Sequence, residues 1–345
     1  MEKNKRMRIS VAICTYNGEK YIREQLESIL NQEYSVDEIV VGDDGSSDRT
    51  IEVAEKILKT SDVSYRILRS TTNIGYRKNF ERTIAATKGE IIFLSDQDDV
   101  WKRNKVKVVA ECFQKNPRYL MAFSDADVVD IKLNKQKRSL WEACFFKRDK
   151  KKIPEWDLLF LKGWYVTGAA AAIRRQLFEQ VRPFSEICVH DAWLAMAAGL
   201  QDRLLAIPDK LWMYRQHGAN QIGVAYSFRN KLRKKKEILV NLFQNQMIEH
   251  RNKKLIYIEM KERFDFFICD KPGFEKQMDK CIEFHSELAG MKSMPWSRRM
   301  RTILKHVKNG NYTRFTTTKG WLAGDFLFAL LYKREKLKVK SRIGR

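Results

Sequence analysis

The sequence predicts an α/β protein, a mostly parallel, Rossmann-like sheet flanked by helices, with a basic helical extension at the C-terminal end. Short β-rich runs alternate with helical stretches through the first half of the 345 residues. Polar clusters follow the first, second and fourth of those runs, and open α/β sheets bind ligands outside the carboxyl ends of their strands. Beyond about Tyr226 the alternation gives way to lysine-rich helical sequence beginning "SFRNKLRKKKEILVNLF".

Taken in order, "RISVAIC" (8–14) is the first strand, followed by a helix near 18–31 with apolar Tyr21, Ile22, Leu26, Ile29 and Leu30. "DEIVVGDD" (37–44) is the second strand, and Ser47 is placed to cap a helix reaching about Lys59. "SYRILRS" (64–70) is the third strand. "RKNFERTIAATKG" (77–89) is a helix that Gly89 would end. The four apolar residues of "IIFLSDQDDVW" (91–101) make a fourth strand, buried on both faces. A helix near 102–115 and a strand in "LMAFSDADVVD" (120–130) follow. "WYVTGAAAAIRR" (164–175) reads as a strand with a glycine turn, and "DAWLAMAAG" (191–199) as a helix closed by Gly199. "RLLAIP" (203–208) and "KLWMYRQH" (210–217) complete the alternation. A boundary near 222–226 divides residues 1–223 from a basic, mainly helical region, 224–345. No internal repeat or low-complexity segment is present.

At 44% hydrophobic and 32% charged residues, the composition suits a globular chain with a substantial core. The six cysteines (14, 112, 144, 188, 269, 281) show no zinc spacing and are expected as reduced thiols in a cytosolic protein. No signal peptide is expected from the short N-terminal apolar run. No segment reaches the roughly 18 apolar residues of a membrane-spanning helix. The nearest, "GWLAGDFLFALLY" (320–332), carries Asp325. The net charge of +23 is uneven, because residues 221–345 hold 29 Lys+Arg against 12 Asp+Glu. Such a run is either a solvated helical face or an attachment surface.

The three polar clusters are "CTYNG" (14–18), "DDGSSD" (43–48) and "DQDD" (96–99). Adjacent parallel strands would bring them to one rim. Asp44 is suited to hydrogen bonding a base or ribose and Tyr16 to stacking on a base, although "DDGS" is also ordinary turn chemistry. In "DQDD", neighbouring carboxylates repel and raise one another's pKa unless a cation neutralises them. Oxygen ligands favour Mg2+ or Mn2+, which typically bind through one or two carboxylates plus substrate phosphates. A cation holding a diphosphate is therefore expected here, the plainer alternative being an acidic turn that caps the next helix.

"VAICTYNGEKYIREQLESILNQ", "EIVVGDDGSSDRT", "NIGYRKNFERTIAATKGEIIFLSDQDDVW", "TGAAAAIRR", "HDAWLAMAAG" and "YRQHGANQIG" occur in an order that resembles the family 2 glycosyltransferases of the GT-A fold, nearest to bacterial rhamnosyltransferase-like enzymes that build surface polysaccharides. The resemblance covers about residues 8–223. It implies a nucleotide-sugar donor, a divalent metal and inversion at the anomeric carbon. It also implies that Cys14, Thr15, Tyr16 and Asp44 hold the nucleoside, that Asp96 contacts ribose or sugar, and that Asp98 of a DxD motif binds metal. Asp99 is an additional contact by the same resemblance, Trp101 lines the sugar pocket and Gly168 borders the acceptor site. Asp191 takes the place of the catalytic base and His217 that of a metal or diphosphate contact. His190 would orient the base, and Arg215 would meet a phosphate. Ala192, Ala169 and Ala170 stand where relatives often carry larger residues, so the donor sugar is left open between dTDP- and UDP-sugars, dTDP-rhamnose among them. The implied acceptor is a saccharide or polyprenyl-linked hydroxyl. That reading makes the basic region a peripheral attachment to the anionic inner face of the cell membrane.

Three other classes compete. A nucleic-acid binder fits the pI of about 9.7, but no helix-turn-helix, zinc-finger or RNA-recognition signature is present and the rim is acidic. A dinucleotide-dependent oxidoreductase is disfavoured because the first strand ends in "YNG" rather than GxGxxG. A glycosyltransferase-like protein without activity is opposed by the complete set of candidate site residues.

Overall fold

β1 (Ile9–Thr15), β2 (Glu38–Asp43), β3 (Ser64–Arg69) and β4 (Ile91–Asp96) lie side by side in the order β3-β2-β1-β4, all parallel. Every residue of β1 and β2 is buried, as is β4 as far as Ser95, which is why these segments read as unbroken apolar runs. β3 is the edge strand and keeps no fully buried residue. The remaining strands are β5 (Val100–Trp101), β6 (Met121–Val129), β7 (Lys135–Ser139), β8 (Ala171–Arg174) and β9 (Leu204–Arg215). They extend the sheet as β4-β8-β6-β9-β5, with β7 paired to β6. β8 runs antiparallel to both β4 and β6, so the sheet is parallel at one end and mixed beyond it.

The helices of this part are α1 (Ile22–Leu30), α2 (Thr50–Leu58), α3 (Tyr76–Ala86), α4 (Lys105–Lys115), α5 (Leu140–Ala143), α6 (Trp156–Lys162), α7 (Arg175–Val181) and α8 (His190–Leu200). α8 is buried at all eleven positions, as its run of alanines and large apolar residues requires. The computed structural model describes residues 6–144, 146, 156–163, 165–217, 235–317 and 319–332. These fall into two units, Met1–Phe160 with Trp164–Tyr226, and Leu161–Gly163 with Ser227–Arg345. The boundary expected at 222–226 lies outside the described residues.

Several local expectations are corrected. Ser47 does not cap α2, which starts at Thr50; its N–H and hydroxyl donate instead to Asn17 Oδ1 (2.9 and 3.3 Å). Asp48 serves the start of α2 by accepting the Thr50 N–H at 3.0 Å. α3 ends at Ala86, and Gly89 is needed for a different reason, since a Cβ there would lie 2.6 Å from the Ser10 nitrogen. α8 runs through Gly199, and the chain reverses at Asp202, whose φ is 55°. α4 starts at Lys105 rather than 102, because Val100 and Trp101 are taken into a ladder opposite Met213 and Trp212. The two runs at 203–208 and 210–217 form one strand, β9, with a register shift against β6 between Ile207 and Lys210.

The second unit contains α9 (Lys235–Arg263), α10 (Asp265–Ile268), α11 (Pro272–Ala289), α12 (Trp296–Lys308), α13 (Asn311–Phe315) and α14 (Gly320–Leu331). Tyr257, Met260, Met278, Phe284 and Phe315 are fully buried in it. Asp325, His250 and His285 are buried there too: Asp325 accepts from Tyr312 Oη and from the half-buried Gln246 Nε2, both at 2.7 Å, while His250 Nδ1 lies 2.7 Å from His285 Nδ1. Asp325 therefore sits in a hydrogen-bonded core. No helix among the described residues is long and apolar enough to cross a membrane.

Candidate active site

β1 lies between β2 and β4 with Cys14 opposite both Gly42 and Asp96, so the three polar clusters emerge side by side at the carboxyl end of the sheet. Thr15 Oγ1 donates to Asp43 Oδ1 at 2.9 Å, and the Asp44 N–H donates to Thr15 O at 2.9 Å. The buried Asp44 carboxylate accepts the N–H groups of Ile74 (2.7 Å) and Gly75 (3.0 Å), fixing the loop into α3. Cys14 is buried against Thr83 Oγ1 at 3.6 Å, and burial pushes its thiol well above the ordinary range. Tyr16 is 46% exposed. Gln97 brackets its backbone, accepting the Tyr16 N–H at 2.9 Å and donating to the Tyr16 carbonyl at 3.0 Å. Gly18 makes room for this bridge, since a Cβ there would meet Gln97 Oε1 at 2.0 Å.

The end of β4 forms an acidic ledge. Burial raises the Asp96 carboxyl to about 7, helped by the charges of Asp98 and then Asp191 and opposed by Lys105. Asp99 is raised well above the carboxylate range for the same leading reason. Its Oδ1 accepts the Arg215 N–H at 3.2 Å, whereas its buried Oδ2 has no hydrogen-bond partner among the described residues. Asp98 Oδ2 lies 2.7 Å from His217 Nε2, and the His217 ring stacks on Tyr21 at 4.8 Å. Carboxylate and imidazole side by side, in a ledge with surplus negative charge, fit a divalent cation that draws its other ligands from a diphosphate. Among the described residues, no three His, Cys, Asp or Glu side chains are grouped as a cation site by themselves.

Asp191 lies in the first turn of α8, one position beyond its first residue; Val189 is the N-cap, so Asp191 is not the cap. Asp191 Oδ2 accepts the Gly168 N–H at 2.8 Å and Oδ1 the Ala192 N–H at 2.7 Å. Gly168 opens a tight turn, Gly168–Ala170, and a Cβ on it would lie 2.8 Å from His190 Nε2.

Gly168 is bonded to Asp191, its turn packs against β4, and the Asp96 carboxyl at the end of β4 feels the charges of Asp98 and Asp191, with Asp44, Thr15 and Tyr16 on the adjoining strand ends. Three expectations change. His190 stacks on Phe80 at 3.9 Å and neither ring nitrogen has a hydrogen-bond partner among the described residues, Asp191 included, so it does not orient Asp191 by a hydrogen bond. The Arg215 guanidinium is held by Asp98 O (2.8 Å), Ile131 O (2.9 Å) and the Glu24 carboxylate, which makes it a brace under the ledge. Trp101 is 3% exposed and packs 5.6 Å from Phe93, with Lys105 Nζ 4.1 Å from its ring centre. That placement is core packing.

Gln97, Glu24 and Lys105 were not singled out from the sequence. Lys105 left a trace there, because it stands at the head of an apolar stripe, Lys105–Val109–Phe113, where a charge is out of place.

The family model for "Glycosyl transferase family 2" matches residues 10–182, half of the chain. The chain belongs to glycosyl transferase family 2. Among relatives, this glycosyltransferase is 28% identical over 235 residues to the dTDP-rhamnosyl transferase RfbG of Shigella flexneri, covering 64% of this chain and 77% of that one. Among solved structures, S. aureus TarS 1–349 in complex with UDP-GlcNAc superimposes with a TM-score of 0.54 at 16% identity, over 94% of this chain and 90% of that one. The mannosyltransferase PcManGT from Pyrobaculum calidifontis, in complex with GDP-Man and Mn2+, gives 0.52 at 17% identity, over 94% and 88%. At these identities the likeness shows the fold, which is GT-A with a C-terminal helical region.

Proposed function

We propose that this glycosyltransferase inverts the anomeric carbon as it moves a sugar from a nucleotide diphosphate donor to an acceptor hydroxyl, with Asp191 as the base. What supports this reading is that the Gly168–Ala170 turn, whose Gly168 N–H holds Asp191, packs against β4, the strand that ends at Asp96, and that the charges of Asp98 and Asp191 both bear on the Asp96 carboxyl. On this reading the end of β4 and the start of α8 form two sides of one ledge, with a pyrophosphate seated at the first and an incoming hydroxyl at the second.

A carboxylate has about four lone-pair positions, and Asp191 spends two on the Gly168 and Ala192 N–H groups. The remaining positions accept the acceptor's hydroxyl proton. The oxygen then attacks C1, and the C1–oxygen bond to the diphosphate breaks on the opposite face. Cys14, Thr15, Tyr16 and Asp44 would border the nucleoside, while Asp98 and His217 would hold the metal. When bound, Mg2+ or Mn2+ offsets charge on the departing diphosphate. The name of the 28% identical relative makes dTDP-rhamnose the first donor to try, ahead of UDP-sugars. The test is a panel of nucleotide sugars with Mn2+ or Mg2+ against saccharide and polyprenyl-linked acceptors, read by nucleotide release and the anomeric configuration of the product. Retention, or release indifferent to every acceptor, would refute it.

The acceptor is proposed to be a growing surface polysaccharide or a lipid-linked oligosaccharide, with the basic C-terminal unit resting on the anionic inner face of the membrane. α12 supports this, because exposed Trp296, Leu304 and Val307 accompany exposed Arg298, Arg301 and Lys308. Each basic residue near anionic lipid contributes about 1 kcal/mol. Two further basic clusters, "KLRKKK" (231–236) and "LLYKREKLKVK" (330–340), lie for the most part outside the described residues. Failure to float with phosphatidylglycerol vesicles at moderate salt would remove the membrane from this account.

A further inference from the structure

Lys105 opens α4 and is completely buried. Its ammonium donates to the Ala169 carbonyl at 2.7 Å and sits over two indole faces, 4.1 Å from the Trp101 ring centre and 5.3 Å from that of Trp212. A methionine would fill similar volume without the cost of burying a charge. What the charge reaches is specific. The carboxylates whose fields it feels are Asp99 and Asp96, and the carbonyl it holds belongs to the Gly168–Ala170 turn. One residue earlier, that turn donates the Gly168 N–H to Asp191 Oδ2. A single side chain thus links the acidic ledge to the turn that aims the carboxylate across from it.

We propose that Lys105 is a positioning residue for transfer: its ammonium, seated between Trp101 and Trp212, pins the Ala169 carbonyl so that the Gly168 N–H holds Asp191 toward the acceptor. This rests on the reading of Asp191 as the base and adds a residue that touches neither donor nor acceptor. The two indoles acquire a purpose by it. They form an electron-rich seat that favours the ammonium against burial, which lowers the Lys105 pKa to about 7, and β5 brings Trp101 opposite Trp212.

Lys105→Met keeps the bulk and removes the donor. The expected result is a fall in kcat for transfer of at least about thirtyfold, with nucleotide affinity in the presence of Mn2+ within about threefold of wild type, since an interaction lost only in the transition state lowers kcat and leaves binding alone. Hydrogen exchange at the Gly168 amide should accelerate, while the Asp44 amide, bonded to Thr15, should not change. Lys105→Arg, which keeps charge and donor on the same indole faces, should recover at least about a third of the transfer lost. Should Lys105→Met melt below the assay temperature, Lys105→Gln carries the same test through the same kcat and nucleotide titrations. Transfer near wild type would overturn the proposal, as would a parallel loss of nucleotide affinity and kcat, the mark of a merely structural lysine. If wild-type protein transfers no sugar at all, the parent reading fails, an outcome distinct from both.

Discussion

Replacing Asp191 by asparagine tests the proposed chemistry, and the structure predicts two separable effects. The first is catalytic: a positioned base contributes typically 10²–10⁴-fold, so kcat should fall by about that factor while nucleotide affinity stays the same. The second is structural. Two N–H groups point at different oxygens of this side chain, Gly168 at 2.8 Å and Ala192 at 2.7 Å. An amide offers one oxygen, so one N–H must face the NH2 group, at a cost of about 1–3 kcal/mol for an unsatisfied buried donor. The variant should therefore melt lower, by roughly 2–4 °C for each kcal/mol in a unit of this size. Nucleotide release with and without acceptor, run beside a nucleotide titration and a thermal melt, separates the effects. A variant that melts lower as expected but turns over within about fivefold of wild type would refute the base assignment. Lost nucleotide affinity would place Asp191 on the donor instead.

Other outcomes follow from the same geometry. Asp98→Ala should lose at least about a hundredfold in metal-stimulated transfer, measured by Mn2+ titration, because it removes the carboxylate proposed to hold the cation beside His217. Gly168→Ala forces a Cβ to within 2.8 Å of His190 Nε2, and the displaced turn should slow transfer by roughly tenfold while nucleotide binding holds. In the second unit, burial and the charge of His250 hold His285 well below the imidazole range, with Lys253 and His306 adding to the effect. The unfolded histidine protonates near 6.5 and the folded one does not, so stability present above that pH is lost on acidification by about 1.4 kcal/mol per pH unit. Melts of the wild type from pH 7.5 to 5.5 should lose about 1.4 kcal/mol in total, most of it below pH 6.5 where the slope approaches its full value, and His285→Phe should flatten the loss.

The parallel half of the fold was legible because its strands are buried on both faces and must be apolar throughout, as in Ile91–Leu94. The convergence of the three polar clusters followed from strand adjacency, which the register of Cys14 with Gly42 and Asp96 bears out. What the chain hid was tertiary. Ser47 and Gly89 carry ordinary cap signals, but Asn17 and Ser10 from distant segments claim them. Gly199 could sit inside α8 because that helix is enclosed on every side. Arg215 looked like a phosphate contact, and only the fold reveals that Asp98, Ile131 and Glu24 surround its guanidinium. Trp101 and Lys105 stand four residues apart and pack as cation on indole, a pairing readable only once β5 is known to turn the chain toward β9.

Calorimetric titration of dTDP-rhamnose, and of UDP-sugars beside it, into wild-type, Asp98→Ala and Asp191→Asn proteins, each with and without Mn2+, addresses the acidic ledge directly. The account predicts that Mn2+ tightens donor binding to the wild type and to Asp191→Asn and does nothing for Asp98→Ala. Equal binding in all three proteins, with or without the ion, would contradict it.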